Sequence, residues 1–390
     1  MREITFSKII YKIKKKFSKV FFKKSSKNVL FISPQADLKY VNTNNINIFN
    51  YNIDESSNYE KYKDIENKLK KNIASNIDEI FLNYIKEKNI VLKPYFIQTI
   101  QDILNILKRK NIKEIFWGIS PTLLIRNALV YLKKKTLISG LQHGGKYFIM
   151  QDDMCHKDSD YSFCDKFYAY GLTSSFNKKK FSKDTKIINS GCFKNTFYNN
   201  IIIRNKNLNQ NTILYVPVSL SNFTCPVIEA RPTTRFILQK KICSKLEKFK
   251  DFKTFVKIIP FSYYNKNLFD KEHIETNPIY LELNNYKSLK INSKPLIFAY
   301  ENLKPRIVIT DYLSTPIYEL SNSPSEIILF LDRYNYPKKD VLKILKKRFF
   351  IVENVNQMER AIKLIKQKKQ AKNNNKLFYK EFYKEKEVIS

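Results

Sequence analysis

The 390-residue sequence is poor in the residues that build disulfide scaffolds and metal sites. It has five cysteines, none in a Cys-x-x-Cys pair, and only three histidines, His143, His156 and His273. The odd cysteine count and wide spacing argue against a disulfide framework, and the histidines are too scattered for a zinc site. We therefore predict a protein of the reducing cytoplasm that needs no metal and no bound cofactor.

Long apolar runs and acidic residues are also scarce. No uninterrupted apolar run reaches the roughly 18 residues that a membrane-spanning helix requires. The 71 Lys and Arg outnumber the 36 Asp and Glu, which gives a net charge of +35. Such an excess favours anionic partners: nucleic acid, an acidic membrane face or phosphorylated substrates. The abundance of Lys, Asn, Ile, Tyr and Phe also fits AT-rich codons, so codon bias is a second explanation of the charge.

The first residues have helical periodicity with a basic flank. Ile9, Ile13 and Phe17 share one predicted helix face, and Lys12 and Lys16 lie beside it. The repeated lysines leave no apolar core for a signal peptide. A basic amphipathic helix binds an anionic membrane interface, and the alternative is a helix packed on its own domain. We predict membrane contact, and with it an enzyme peripheral to the inner face of the cytoplasmic membrane.

Beyond this segment, short apolar strands alternate with helices. Strands are predicted over residues 28–33, 112–117, 136–141, 166–170, 186–188, 212–217, 254–259, 306–310 and 326–331. Helices are predicted over residues 121–134, 233–249, 315–321, 337–347 and 355–369. This rhythm predicts an α/β fold with two parallel, doubly wound, Rossmann-like domains that face each other across a cleft.

A polar segment, 204–211, has the composition of a domain boundary. It divides the chain into five parts. We predict a basic amphipathic N-terminal segment (1–26), a first Rossmann-like domain (27–203), the linker (204–211), a second Rossmann-like domain (212–365) and a basic C-terminal tail (366–390).

Two of the six glycines follow the strand 136–141, in the run Gln142-His143-Gly144-Gly145-Lys146. Open α/β sheets bind ligands at the carboxyl ends of their strands, and paired glycines let a ligand approach the backbone closely. Imidazole suits general-base work near neutral pH, so His143 is the predicted base. Gln142, Gly144, Gly145 and Lys146 are predicted to contact the ligand. The alternative is a histidine that only shapes a tight turn.

A second polar turn, Thr310 to Thr315, lies between the strand 306–310 and the helix 315–321. Ser314 or Thr315 is predicted to cap this helix, and Glu319 gives a capping-box-like spacing. Free N–H groups at a helix start bind phosphate, and the alternative is ordinary capping without a ligand.

Two further features bear on a phosphate site. Lys257, near the end of the strand 254–259, adds a point charge for phosphate. The run Asp158-Ser159-Asp160 matches the DxD pattern of metal-dependent sugar transferases, and Asp152-Asp153 precedes it. Because three such common residues recur by chance and follow no clear strand, we predict a solvated loop rather than a metal site.

Four ordered stretches resemble GT-B transferases of bacterial surface-polymer assembly, including CDP-glycerol glycerophosphotransferases and capsule or lipopolysaccharide sugar transferases. The stretch Leu141–Gly145 is similar to the HG loop of these enzymes, and Asn189–Lys194 is similar to their G-x-P-[KR] segment. The stretch Ile213–Pro217 is similar to their ILYxP motif, and Thr310–Thr315 is similar to their TDYSS motif. Two departures stand out. Lys257-Ile-Ile-Pro replaces K-x-HP, and Phe193 replaces a proline.

The resemblance implies a glycosyltransferase that moves a sugar from a nucleotide-activated donor, CMP- or CDP-linked among the candidates, to a hydroxyl of a surface glycan. The first domain would hold the acceptor, with His143 as base. The second would hold the donor through Lys257, Ser314 and Thr315, with Asp311 or Glu319 orienting the turn or the donor ribose, without metal and with inversion at the sugar carbon. The alternatives are a CDP-polyol phosphotransferase and a basic nucleic-acid-binding protein, for which no recognised motif is present.

Overall fold

The computed structural model of the chain describes two parallel β-sheets with their helices. The described residues are 27–32, 46–50, 100–118, 123–133, 135–142, 147–150, 160–171, 185–191, 207–218, 232–258, 279–320, 322–332 and 336–367. Within this part of the chain, no helix is both long and apolar enough to cross a membrane. The predicted N-terminal amphipathic helix and the basic C-terminal tail lie outside the described residues.

The first sheet has six parallel strands in the order β2-β1-β3-β4-β5-β6. A helix, α1 (100–109), precedes β3, and α2 (Leu123–Leu132) connects β3 to β4. The buried side chains of Trp117, Leu129 and Phe167 belong to its core. The strands are β1 (Lys27–Phe31), β2 (Ile46–Asn50), β3 (Glu114–Trp117), β4 (Leu137–Leu141), β5 (Lys166–Ala169) and β6 (Lys186–Asn189).

The second sheet also has six parallel strands, in the order β12-β11-β10-β7-β8-β9. Its strands are β7 (Asn209–Val216), β8 (Lys253–Lys257), β9 (Leu289–Asn292), β10 (Pro305–Thr310), β11 (Glu326–Phe330) and β12 (Phe350–Val352). The chain starts in the middle at β7, builds outward to β9, and returns to β10 on the other side of β7. This order is that of the Rossmann fold, with its switch point between β7 and β10.

Helices cover the second sheet and follow from its amphipathic segments. They are α3 (Pro232–Leu246), α4 (Ile279–Leu283), α5 (Leu296–Leu303), α6 (Thr315–Glu319), α7 (Lys339–Arg348) and α8 (Val355–Lys366). The start of α8 is capped by Asn354, whose Oδ1 accepts hydrogen bonds from the backbone N–H groups of Asn356 and Gln357 at 3.1 and 3.0 Å. Every residue of β11 is buried, as expected for a parallel strand covered on both faces.

The predicted α/β class with two Rossmann-like domains is confirmed by this topology. The strands that the sequence did not predict, β2, β9 and β12, all lie at sheet edges, where one neighbour is missing and fewer apolar positions are needed. In β9 only Leu289 is buried. The strand β7 begins at Asn209, inside the segment predicted as a linker, because its first residues pair with Pro305 of β10. The domain boundaries themselves stay predictions.

The centre of the first sheet is closely packed at Gly140, in β4. A Cβ atom at this position would lie 2.7 Å from Cδ2 of Phe167 and 2.9 Å from Sγ of Cys164. Both of these side chains are fully buried, so neither can move aside into solvent.

We expect Gly140→Ala to lower the free energy of unfolding by about 1–3 kcal/mol, because overpacking strains a dense core. Chemical denaturation would measure the change. Leu137→Ala is the control: it lies in the same strand, is 44% exposed, and should change stability by less than about 0.5 kcal/mol. Equal effects of the two substitutions would contradict the packing described for β4.

Candidate functional site

The candidate site lies at the carboxyl edge of the second sheet, where β7 and β10 end side by side. The pairing of Thr310 with Val216 brings the residues that follow these strands together. Val218 follows β7, and Asp311 opens the polar turn after β10. Ligands of open α/β sheets bind in the crevice at such a switch point.

The carboxylate of Asp311 joins three elements at this edge. The side chain is fully buried. Its Oδ1 accepts a hydrogen bond from the backbone N–H of Val218 at 2.7 Å. Its Oδ2 accepts one from the hydroxyl of Tyr215 at 3.1 Å and one from Nε2 of Gln239, on α3, at 3.0 Å. The carboxylate therefore ties the end of β7 and the helix α3 to the turn after β10.

Arg235, also on α3, binds the backbone of the same turn. Its Nη1 donates a hydrogen bond to the backbone oxygen of Asp311 at 2.7 Å, and its Nη2 lies 2.8 Å from Oδ2 of Asp332. The guanidinium lies over the ring of Tyr312, 5.2 Å from the ring centre. Arg235 is 3% exposed, so these contacts are made away from bulk water. Such a desolvated cation holds its partners in place.

Burial controls the ionisation of this network. It raises the pKa of the Asp311 carboxyl, while Arg235 and the three hydrogen-bond donors act in the opposite direction. Burial and the neighbouring Asp311 raise the pKa of Tyr215 well above its ordinary value. Tyr215 therefore stays a neutral hydroxyl that can donate to the carboxylate.

Sequence reasoning predicted Asp311 to orient either the turn or a donor ribose. Its enclosed oxygens support the first role, since they are occupied by protein donors. Arg235, Gln239 and Tyr215 were not predicted at all. One signal was present, because Arg235 and Gln239 are four residues apart on the helix face that also buries Ile242 and Leu246. Polar residues on a buried helix face require partners.

Lys257 and Glu319, which the sequence predicted as donor-binding residues, are brought together. Lys257 ends β8, and Glu319 ends α6 and is 9% exposed. Burial lowers the pKa of the Lys257 ammonium, and the negative charge of Glu319 raises it. The pair lies on the same carboxyl edge as Asp311.

Ser314 and Thr315 lie at the start of α6 and are partly exposed. Ser314 occupies the N-cap position, but its side chain makes no capping hydrogen bond. The predicted capping box is wrong, because Ile317 and not Glu319 occupies the third helical position. The Ser314 hydroxyl is therefore not committed to the helix that it precedes.

On the first sheet, His143, Gly144, Gly145 and Lys146 lie outside the described residues. The residue before them, Gln142, is 2% exposed, and its Oε1 accepts a hydrogen bond from the backbone N–H of Tyr170 at 2.8 Å. Its side chain is directed at the backbone after β5. Gln142 therefore makes a structural bond, and its contact with the ligand stays a prediction.

Asp160, one of the two aspartates of the DxD pattern, is not in a solvated loop. It is 2% exposed and accepts a hydrogen bond from the hydroxyl of Tyr147. The prediction failed because the aromatic cluster of Tyr147, Tyr161 and Phe167 encloses this carboxylate. Asp158, Asp152 and Asp153 are outside the described residues. Among those that are described, no three His, Cys, Asp or Glu side chains form a group that could hold a metal.

The two sheets share contacts close to both predicted half-sites. Lys338 donates from its backbone N–H to the oxygen of Ile149 at 2.9 Å, and from Nζ to the oxygen of Phe148 at 3.0 Å. The ring of Tyr170 packs against that of Tyr318, on α6, with centres 5.4 Å apart. The segment after His143 and the helix after Asp311 therefore belong to one connected structure.

Fold and edge geometry together define a two-domain α/β protein of GT-B-like architecture, with a hydrogen-bonded polar turn at a Rossmann switch point. The family model described as LIC12162 family transferase matches residues 125–347, more than half of the chain. The protein belongs to this transferase family. No curated protein matches the sequence.

Solved structures agree on the fold. The sucrose-phosphate synthase of Thermosynechococcus elongatus is 10% identical, with 91% of this chain and 95% of that one covered and a TM-score of 0.53. A glycosyltransferase from Rickettsia africae is 12% identical, with coverage of 93% and 95% and a TM-score of 0.50. The teichoic acid polymerase TagF, 13% identical with coverage of 71% and 68%, reaches only 0.38 and does not bear on the donor.

The network around Asp311 can be tested through Arg235→Met. We expect the free energy of unfolding to fall by about 3 kcal/mol, because the backbone oxygen of Asp311 and the carboxylate of Asp332 lose a desolvated cation. Lys240→Met is the control, since it breaks an ion pair with Glu282 in which Lys240 is half exposed, and should cost less than about 1 kcal/mol.

The cost of Arg235→Met should also depend on pH. Without the guanidinium, the pKa of Asp311 rises further, and a group whose pKa is raised by folding loses its stabilising effect as pH increases. The penalty should therefore be smaller at about pH 4 than at about pH 7. Urea denaturation at both pH values measures it, and a penalty that shrinks toward high pH would refute the assigned role of Arg235.

Proposed function

We propose that this transferase moves a sugar from a nucleotide-activated donor to a hydroxyl group of a bacterial surface glycan. The observation that carries the proposal is the polar turn at the β7–β10 switch point. There the buried carboxylate of Asp311 braces a turn that ends in two partly exposed hydroxyl residues, Ser314 and Thr315. A family of transferases and an ordered set of GT-B-like motifs support the same reaction class.

The donor phosphates would lie between the turn and Lys257. The ammonium of Lys257 is partly desolvated, so its attraction to a phosphate is stronger than that of a surface lysine. The negative charge of its neighbour Glu319 opposes the lowering of the Lys257 pKa by burial. Ser314 and Thr315 would add hydroxyl donors. Asp311 has no oxygen left for the donor and acts by holding the turn.

The acceptor would be activated by His143, which follows β4 of the first sheet. The bond between Gln142 and Tyr170 holds the chain immediately before the loop 143–146, and the bond between Tyr147 and Asp160 holds it immediately after. A general base needs such fixed attachment, because its nitrogen must stay within hydrogen-bond reach of the attacking hydroxyl. Direct attack on the sugar carbon, without a covalent intermediate, would invert it.

A peripheral position at the inner face of the cytoplasmic membrane is part of the proposal. The basic amphipathic periodicity of residues 4–24 supports it, since such a helix binds anionic lipid. A nucleotide-sugar donor is a cytoplasmic metabolite class, and a glycan acceptor under assembly would be presented at that membrane.

Substitutions at the predicted base and at the donor-binding residues should have different effects. His143→Ala should leave donor binding nearly unchanged and lower turnover by about 10²–10⁴, because a base acts only on a proton in transfer. Lys257→Met should weaken donor binding by about 1.5–3 kcal/mol, the value of a hydrogen bond to a charged group. Calorimetry with CMP-, CDP-, UDP- and GDP-linked donors would measure binding, and would also separate sugar donors from CDP-polyols.

Lys253→Met is the matched control for Lys257. Lys253 begins the same strand, β8, and lies exposed at the opposite edge of the sheet, so donor binding should not change. If His143→Ala binds the donor as poorly as Lys257→Met, the histidine is a donor ligand or a structural residue. Normal donor binding by Lys257→Met would place the phosphates elsewhere.

Transfer should proceed without a divalent metal. The ammonium of Lys257 and the hydroxyl groups of Ser314 and Thr315 would stabilise the negative charge of the leaving phosphate, a task that metal-dependent transferases give to a cation. Turnover measured in excess EDTA should stay within about twofold of the untreated enzyme. A complete loss that Mg²⁺ or Mn²⁺ restores would return Asp158 to consideration as a metal ligand.

A further inference from the structure

A basic surface lies at the amino edge of the first sheet, opposite the carboxyl edge that leads to the predicted base His143. The helices α1 and α2 precede β3 and β4, so both end at this edge, in the turns 108–113 and 133–137. These two turns contain seven Lys or Arg and no Asp or Glu. They touch each other, since the hydroxyl of Thr136 donates to the backbone oxygen of Lys113 at 2.9 Å. The turns therefore form one continuous cationic surface.

Two acidic residues at this edge do not neutralise the surface. Glu114 is fully buried, accepts a hydrogen bond from the Ser139 hydroxyl, and lies 3.9 Å from Nζ of Lys166. Asp165 lies 3.8 Å from Nζ of Lys133, which is only partly exposed. The exposed cations Lys108, Arg109, Lys113 and Lys135 form the outer part of the surface.

Apolar side chains are exposed beside these cations. Tyr131, in the last turn of α2, is 48% exposed, and Leu137, the first residue of β4, is 44% exposed. The ammonium of Lys135 lies 5.6 Å from the centre of the Tyr131 ring. The helix dipoles of α1 and α2 account for cations at their carboxyl ends, but not for an exposed tyrosine and leucine among them.

We propose that this surface, which we call the amino-edge surface, binds the anionic face of a lipid bilayer. Its members are Lys108, Arg109, Lys113, Tyr131, Lys135 and Leu137. The cations would lie at the level of the lipid phosphates, and Tyr131 and Leu137 would enter the headgroup region, where amphipathic aromatic side chains are favoured.

The positive charge of the surface indicates an anionic partner. The exposed Leu137 favours a lipid interface over a nucleic acid, because a nucleic acid has little apolar surface for a leucine to contact. The surface deepens the peripheral location proposed above, because it adds a second contact to that of the N-terminal segment. Stable anchoring commonly needs two such signals. This surface lies at the amino edge, away from the carboxyl edges where parallel sheets bind ligands, so lipid binding and donor binding are separable.

The test uses the full-length chain and phosphatidylcholine vesicles with and without phosphatidylglycerol. Each cation at an anionic surface contributes about fivefold to binding, so Lys108→Gln, Lys113→Gln and Lys135→Gln combined should weaken vesicle binding by about 100-fold. The matched control removes the same charge from the exposed face of α7, with Lys339→Gln, Lys343→Gln and Lys347→Gln combined. That face has no exposed large apolar side chain, and the control should lose less than about fivefold.

A third variant, Tyr131→Ser with Leu137→Ser, separates lipid from other polyanions. It should bind anionic vesicles more weakly but bind heparin as the wild type does. Unchanged vesicle binding by this variant or by the amino-edge triple variant would overturn the proposal, as would equal losses in the two triple variants. Tighter binding of a single-stranded oligonucleotide than of vesicles at the same salt, lost in the amino-edge variant, would assign the surface to nucleic acid.

Donor titrations keep this inference distinct from the proposed function. The amino-edge variant should bind nucleotide-linked donors as the wild type does, because its positions lie at the amino edge of the first sheet, away from Lys257 and from the turn after β10. Loss of vesicle binding with normal donor binding is the expected result. Loss of donor binding in the amino-edge variant would contradict the separation of the two edges and overturn the inference, whatever the outcome for His143 and Lys257.

Discussion

The buried carboxylate of Asp311 is the contact on which the ligand-binding edge of the second domain depends. A carboxylate without water must be satisfied by the protein, and here the donors come from the end of β7 and from α3. The same requirement recruits Arg235, which neutralises the region and fixes the backbone of the turn. The result is a rigid turn that ends in Ser314 and Thr315, as a preorganised ligand site requires.

A second constraint joins the two domains. The backbone N–H of Tyr170 donates a hydrogen bond to Gln142, next to the predicted base. The ring of Tyr170 packs against that of Tyr318, on the helix that follows the donor turn. Lys338 adds two hydrogen bonds to the segment that follows the loop 143–146. Because these contacts link the first sheet to α6 and α7, a movement of one half-site relative to the other would have to break them. Transfer between two bound substrates needs this kind of mutual positioning.

Sequence reasoning located the important chain segments better than the directions of their side chains. Strand ends and polar turns mark the carboxyl edge of any parallel sheet, so Lys257 and Asp311 could be placed at this edge without a structure. Whether a polar side chain at such an edge faces the ligand or the interior depends on remote neighbours. The side chain of Gln142 is directed inward because it accepts a hydrogen bond from the backbone N–H of Tyr170. The carboxylate of Asp160 is buried, and there it accepts a hydrogen bond from the hydroxyl of Tyr147.

The sequence by itself determined the class of fold and the positions of its central strands along the chain, since buried parallel strands are continuous apolar runs that can be read locally. It did not reveal three of the four edge strands, β2, β9 and β12, and β9 shows that such strands can bury few residues. Only the tertiary structure decided which residues share the site. Arg235 and Asp311 are 76 positions apart, and no local pattern encodes their contact. They meet because the Rossmann crossover returns the chain to the strand beside β7, where α3 and the turn after β10 lie at the same edge.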